Sequence, residues 1–470
     1  MTFEQKHLDQ FYKIAGSYID SLNHSDTLVR PKATSAELNE IFKFNIGSNL
    51  KEPNEIIDDL KKYLDFSTKT GHKNFYNQMF ARSNLPALLG ELTSVINNAS
   101  AYTFEVAPVA TLMELALIKK MSSLCGFENG GGQFVTGGSN ANMVAMLCAR
   151  NSLVKNSKEL GLSNSKPLRV FVSEHSHYSF IKGVNVIGVG MDNLIRIPCD
   201  QLGKMKVELL EKEIIKSLAE DTIPFFVAGT SGTTVLNAFD PLEEIAAIAN
   251  NYSLWFHVDG ACGGSSLLSN KHKHLLDGVS LADSVTWDPH KMMSIPLICS
   301  VLLTKSSDAL LKSNSSKHTE YLFHDDEEIN IGESSLQCGR RADSLKLWTS
   351  WSYYGDAGYE KRIDRLFELA EHTRSYIEKS IVFDQTYVTS GITVCFQYIP
   401  DGITNADKIN EFNRSLRVKM VDEGKTLINY SELDNNLFFR IAFLNPDISI
   451  DDVDETLQGL EMLGANLLKN

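Results

Sequence analysis

The sequence predicts an α/β protein built on a large, mostly parallel sheet with helices on both faces. Two observations carry this. Short apolar or β-branched runs recur through the middle of the chain: "LRVFVSE" (168–174), "IPFFVAG" (223–229), "LWFHVDG" (254–260) and "DSVTWD" (283–288). Stretches with apolar positions three and four apart lie between them, the alternation expected of strand-helix-strand crossovers.

The elements follow in chain order. Residues 1–70 read as a polar, helical arm, and "EVAPVATLMELALIKKMSSLCGF" (105–127) as a long helix. "SNANMVAMLCAR" (139–150) has helical spacing and starts directly after Gly137-Gly138. A further helix has a clear start, with Asp240 suited to cap it, Pro241 in the first turn, and "LEEIAAIANNY" following. Beyond residue 343, "SLKLWTSWSYYG" and "YEKRIDRLFELAEHTRSYIEKS" give two helices. "TVCFQYIP" (393–400), "INEFNRSLRVKMVDEG" (409–424) and "LFFRIAFLNP" (437–446) then give strand, helix and strand, and "DDVDETLQGLEMLGANLL" a closing helix. The expected division is an arm over 1–70, a large domain over 71–350 and a small α/β domain over 351–470.

Bulk properties narrow the partners. A chain of 470 residues, 43% hydrophobic and 22% charged, is an ordinary globular protein larger than one typical domain. Forty-five Lys and Arg against 59 Asp and Glu give a net charge of -14, which disfavours nucleic acid or an anionic membrane surface as partner. No apolar run approaches the ~18 residues that a membrane span needs. The seven cysteines are scattered without C-x-x-C spacing, and the first 30 residues lack a basic start followed by an apolar core. Reduced thiols in a cytoplasmic protein are expected.

Five stretches supply complementary groups for an anionic, aromatic cofactor. "TGGSNAN" (136–142) opens a helix, where free backbone N–H groups favour a phosphate. "SEHSHYS" (173–179) offers His175 and His177 at the strand ends where α/β sheets bind ligands. "GTSGTT" (229–234) ends a strand in small, hydroxylic residues that let a flat ligand approach. "HVDGACGG" (257–264) ends in Asp259, whose carboxylate could keep a ring nitrogen protonated. "TWDPHKMMSIP" (286–296) brings the amine of Lys291. Each stretch alone has a bland reading as a cap, a surface histidine or a turn. Together they match pyridoxal phosphate, whose aldehyde condenses with a lysine and whose pyridinium accepts electrons.

These motifs, with "GHKNFYNQMF" (71–80) and "LQCGRRADSLKLW" (336–348), resemble the fold-type I, group II pyridoxal-phosphate-dependent decarboxylases, nearest the glutamate and cysteine-sulfinate decarboxylases. The resemblance covers most of residues 71–465. It implies that Lys291 is the lysine bonded to the cofactor, that Asp259 partners the pyridine nitrogen, and that His177 stacks on the ring. It implies further that Thr234 and Ala261 pack near that ring, and that Gly138, Ser139 and His290 hold the phosphate. Arg440 matches the arginine for the substrate's α-carboxylate, and Asn77 and Gln78 match substrate-contacting positions. Family members are homodimers with active sites at the subunit interface, so "QCGRR" (337–341) is expected to serve the partner's site.

One departure concerns proton delivery. Many relatives carry a tyrosine in a mobile loop after a "YLF" segment, but in "EYLFHDDEEINIGESSLQCGRR" (320–341) the only tyrosine is Tyr321 of that segment. His177 or water is then expected to protonate the carbanion, with a transaminating side reaction as the alternative. "HDDEE" (324–328) reads as a solvated loop, "NKHKH" (270–274) as a basic turn, Cys338 as a packed or interface thiol, and no metal is assigned. The implied reaction is decarboxylation of an acidic L-amino acid: glutamate, aspartate or cysteine sulfinate. Arg340 or Arg341 would offset the repulsion between two anions. Aromatic amino acid decarboxylation, another reaction of the same cofactor such as transamination or carbon-carbon cleavage, and an inactive cofactor-binding scaffold are the alternatives.

Overall fold

The computed structural model describes residues 3–469 apart from 45, 48, 49, 164, 317, 318, 320 and 324–328. Its strands are, in chain order, β1 (Phe75–Tyr76), β2 (Gly131–Val135), β3 (Leu168–Ser173), β4 (Leu194–Ile197), β5 (Ile223–Thr230), β6 (Trp255–Gly260), β7 (Ser284–Trp287), β8 (Ser300–Thr304), β9 (Phe383–Tyr387), β10 (Thr393–Tyr398), β11 (Leu427–Leu433) and β12 (Asn436–Ala442). Two compact units form. One comprises Ser83–Glu368 with Tyr387–Thr393, the other Met1–Arg82, Leu369–Thr386 and Val394–Asn470.

The first unit holds a seven-stranded sheet in the order β2-β8-β7-β6-β5-β3-β4. Only β8 runs against its neighbours, so the sheet is mostly parallel. The four runs singled out in the sequence become β3, β5, β6 and β7. Parallel strands are buried on both faces, which is why they read as continuous apolar runs rather than as alternations. The helix Gly138–Leu153 packs Ala141, Val144, Ala145 and Cys148 into one cluster with Val170, Val172, Phe226 and Ala228. Gly229, the next residue along β5, points to the opposite face. There the helix Leu242–Asn251 presses so close that a Cβ on Gly229 would lie 2.8 Å from Leu242. Helices therefore cover both faces.

Local details differ from expectation in two places. Asp240 does not cap the helix that follows it. Its carboxylate turns inward and accepts the backbone N–H groups of Met205 and Thr230, both at 2.7 Å, so it ties the end of β5 to the segment at Met205. Burial pushes this carboxyl up to about 7. Of the two readings for Cys338, packed or interface, packing within the chain does not hold, since it is exposed whereas the other six cysteines are buried. The two helices expected after residue 343 are present as Asp343–Lys379, interrupted at Gly355, whose φ of 61° is a conformation that glycine reaches without strain.

The second unit carries a five-stranded sheet in the order β1-β11-β12-β10-β9. The short β1 runs parallel to β11, and β11 runs antiparallel to β12. The helix Ala406–Glu423 is capped by Asn405, which accepts from the Lys408 N–H at 3.0 Å, and ends at Gly424 with φ 70°. The N-terminal helices Phe3–Ser21, Ser35–Phe42 and Pro53–Phe66 and the closing helix Ile450–Lys469 belong to the same unit. Lys73 reaches that closing helix through Asp452 at 2.6 Å.

Arg340 anchors the "QCGRR" segment inside the first unit. Its guanidinium donates to Glu114 and to the Ala101 carbonyl, each at 2.5 Å, and both side chains of the ion pair are almost fully buried. Removing one partner strands a buried charge, at a cost of about 3–5 kcal/mol. Glu114→Ala should therefore lower the thermal midpoint clearly. Replacing both members by methionine should recover most of that loss, and scanning calorimetry of the three proteins checks it.

Candidate active site

The parallel pairing of β6 with β7 sets Asp259 opposite Thr286 and delivers the Asp288-Pro289 turn to the same sheet edge. Asp259 is buried; its Oδ1 accepts the Ala261 N–H at 3.2 Å and its Oδ2 the side-chain N–H of Asn142 at 2.9 Å. After the turn, Lys291 Nζ lies 3.5 Å from Asp288 Oδ2. Burial pushes the lysine down, but the carboxylates of Asp288 and Asp259 outweigh it and hold the amine above the usual lysine range. It is an ammonium until a reaction partner takes its proton.

His290 points back into the turn. Its Nδ1 donates to the Cys299 carbonyl at 2.7 Å, and its Nε2 lies 3.8 Å from Asp288 Oδ2. Burial pushes the imidazole below its usual range, so Nε2 is unprotonated. A phosphate beside Nε2 would draw a proton onto it, since an opposite charge favours the charged form. Asn84 pins the next residues, accepting the Ala87 N–H to start the helix Leu85–Asn97 and donating to the carbonyls of Met293 and Ser294 at 3.2 and 3.1 Å. Nothing in the "LPALLG" context marked Asn84 for this job.

Gly138 meets the same turn from the other side. A Cβ there would lie 2.6 Å from Asp288 Oδ2 and 3.1 Å from Oδ1, so only glycine allows the helix Gly138–Leu153 to start against this carboxylate. Gly137 before it has φ 125°, and Ser139 is exposed in the first turn. The Asn140 N–H closes back on the Gly137 carbonyl at 2.9 Å, and the N–H groups of Gly138 and Ser139 ahead of it are the ones a helix start offers to an anion.

His177 follows β3 and is half-buried. Its Nδ1 accepts the Ser179 N–H at 3.3 Å, which leaves the proton of the neutral ring on Nε2. Burial pushes it below the usual histidine range against the pull of Asp259, while Lys291 also lowers it. His175 instead donates its backbone N–H to Ser173. Ala261 is buried beside Asp259, and Thr234 lies exposed in the turn after β5. The first unit thus brings together His177, Asp259, His290 and Lys291, with Gly138 against the same turn.

In the second unit, Arg440 on β12 is buried and donates to the Asn77 carbonyl at 2.8 Å, while the Asn77 side chain accepts from Arg417 at 3.5 Å. Gln78 beside it is exposed. The expectation that Arg340 offsets a substrate charge fails in this chain, because Glu114 already neutralises that arginine in the interior. Arg341 is likewise paired, with Glu91 at 2.6 Å. "HDDEE" lies outside the described residues, and Tyr321 just before it is exposed. In "NKHKH" the ring of His272 stacks on Phe367 with centroids 3.7 Å apart.

The residues fit pyridoxal phosphate. A lysine amine, a carboxylate with a lone pair to spare, a flat histidine and a helix start meet at one edge, and buried Asp288 Oδ1 lacks a hydrogen-bond partner among the described residues. Fold and donor set define the class, a pyridoxal-phosphate enzyme of the fold-type I architecture. Known proteins narrow this further. The family model "Pyridoxal-dependent decarboxylase conserved domain" matches residues 40–399, and the chain belongs to that family. It is 38% identical over 443 residues to cysteine sulfinic acid decarboxylase of Mus musculus, covering 92% of this chain and 90% of that protein. It is 36% identical over 443 residues to acidic amino acid decarboxylase GADL1 of Homo sapiens, covering 92% and 85%. The crystal structure of mouse CSAD in apo form superposes with a TM-score of 0.94 at 36% identity, covering 98% of each chain. The chain is a pyridoxal-phosphate-dependent amino acid decarboxylase.

Two residues of the site escaped sequence reading. Asn142 sits in a helix and His257 in an apolar strand, yet both touch the Asp259 environment. Gly138→Ala tests the close approach to Asp288. Its cofactor affinity, followed by absorbance titration, should fall about ten-fold or more through overpacking, while the thermal midpoint of the cofactor-free protein moves by only a few degrees.

Proposed function

We propose that this decarboxylase acts on an acidic L-amino acid, glutamate, aspartate or cysteine sulfinate, and releases the amine and CO2. The observation that carries this reading is the pair of relatives, cysteine sulfinic acid decarboxylase and acidic amino acid decarboxylase GADL1, that match nine-tenths of the chain at 36% identity or more. When bound, pyridoxal phosphate supplies an aldehyde for an amine and a pyridinium ring that accepts the electron pair of the departing carboxylate. Lys291 is the amine that holds it, kept charged beside Asp288 until it reacts. Asp259 keeps a proton on the ring nitrogen, with both its oxygens already oriented by Ala261 and Asn142. Gly138, Ser139 and His290 hold the phosphate, and His177 covers the ring, with Thr234 and Ala261 beside it. Arg440 receives the α-carboxylate, and Asn77 and Gln78 contact the substrate.

Proton delivery falls to His177 Nε2 or to water, since Tyr321 is the only tyrosine of the segment 320–341. Removing a general acid typically costs 10²–10⁴-fold, so His177→Asn should lower kcat by about 10²-fold or more.

The enzyme works as a homodimer in the cytoplasm. Leu85, Leu89, Val95 and Ile96 on the helix Leu85–Asn97, and Val109 and Leu112 on the helix Pro108–Leu124, are more than half exposed, an apolar surface suited to a second copy. Among the described residues no helix is long and apolar enough to cross a membrane. Six buried cysteines and no disulfide among the described residues suit a reducing compartment.

A panel of glutamate, aspartate, cysteine sulfinate, cysteic acid and aromatic amino acids, assayed for CO2 and amine, tests the substrate class. Turnover confined to aromatic substrates, or sustained aldehyde release without amine, would overturn it. Lys291→Ala should abolish both the visible absorbance of the bound cofactor and turnover. Leu89→Lys with Val109→Lys should halve the mass seen by light scattering.

A further inference from the structure

A continuous set of polar side chains, half-buried at Trp255 and buried from Ser284 onward, runs behind Asp259, and its donor and acceptor roles can be assigned one by one. Trp255 Nε1 is a donor only, and it meets Ser284 Oγ at 2.8 Å. Ser284 Oγ lies 2.8 Å from His257 Nδ1. His257 Nε2 lies 3.0 Å from Asn142 Oδ1, which can only accept, so the ring proton is on Nε2 and Nδ1 receives the serine hydroxyl. Thr286 Oγ1 donates to the same amide oxygen at 2.7 Å. Two donors on its oxygen force the amide to turn its Nδ2 the other way, where it meets Asp259 Oδ2 at 2.9 Å and Ser179 Oγ at 3.0 Å. Asn142, His257, Ser284 and Thr286 are 1% exposed or less.

We propose that Asn142 and His257 are positioning residues for the cofactor: the one-way chain from Trp255 through Ser284, His257 and Asn142 ends on Oδ2 of Asp259 and fixes the orientation of that carboxylate toward the pyridine nitrogen. This inference rests on the role proposed above for Asp259. Burial pushes His257 down to about 4, so the ring keeps a single proton and the chain a single direction across the working pH range. The amide cannot rotate without placing its oxygen against the carboxylate and its N–H groups against two donors. A buried group with one allowed orientation costs nothing to reorganise when the ligand arrives, which is how such a site is held ready.

The test uses Asn142→Asp, which keeps the shape and reverses the polarity at Asp259, alongside His257→Leu, His257→Gln and Asp259→Ala. Losing a hydrogen bond to a charged group corresponds to roughly 10- to 100-fold. We expect Asn142→Asp to weaken cofactor affinity by about that factor, to shift the visible band of the bound cofactor, and to lower kcat with KM little changed. The thermal midpoint of the cofactor-free protein should fall as well, because a second carboxyl is buried beside Asp259, and the His257 pair separates that loss from the loss of cofactor affinity. His257→Leu should show the same changes more weakly, and His257→Gln, which retains a donor at the Nε2 position, should rescue most of them. Wild-type affinity and spectrum in Asn142→Asp would overturn the proposal, as would equal losses in the two His257 variants. If Asn142→Asp fails to fold, the His257 pair decides alone. Unchanged affinity and turnover in Asp259→Ala would instead remove the reading of Asp259 on which the proposal rests.

Discussion

The register of β6 against β7 is the constraint on which the site depends. Asp259 opposite Thr286 leaves one more paired residue, Trp287, before Asp288, and the turn that follows carries His290 and Lys291. A slip of one residue would send every side chain of β7 to the other face. Trp287 and Val285, both fully buried, would then exchange places with Ser284 and Thr286. Both faces of β7 are buried, so the slip would drive the indole into the space of Ser284 and Thr286 beside His257 and Asn142 and take their polar partners away. Trp287 further donates to Ser265 Oγ at 2.9 Å, so even the indole N–H has one address.

Polar groups are then added to this frame in an order that their surroundings dictate. Lys291 sits between carboxylates and stays charged; His177, His257 and His290 sit where burial dominates and stay neutral. Each neutral ring is oriented by one short-range partner: the Ser179 N–H, the Asn142 oxygen and the Cys299 carbonyl. The three histidines thereby become distinct reagents. His177 presents a proton on Nε2, His290 keeps an open Nε2 that takes up a proton when a phosphate sits beside it, and His257 uses its proton to orient an amide.

The sequence made the central strands legible because parallel strands buried on both faces leave unbroken apolar runs, and it made the cofactor legible because five short motifs follow one another in order. The residues that escaped did so for physical reasons. β2 is "GGQFV", too glycine-rich to look like a strand, and β8 sits inside the apolar stretch after Lys291 with no turn signal of its own. β11, "LINYSEL", is half exposed and alternates, so it lacks the pattern of the buried strands. Arg340 read as a cation free to offset a substrate's charge. Its partner Glu114 lies 226 residues away, and no local pattern announces such a pair. Asp240 looked like a helix cap for the same reason: its true acceptor role depends on Met205 and Thr230.

The placement of β2 has a consequence for how the molecule comes into being. Its outer residues pair only with β8, Val135 with Ser300, so a chain emerging from the ribosome exposes this strand until 165 further residues have been made. At about 5–20 residues per second that is roughly 8–30 s. During this time the strand edge is open to any other chain. The glycines Gly131 and Gly132, which made β2 hard to see in the sequence, also make it a poor template for wrong pairing while it waits.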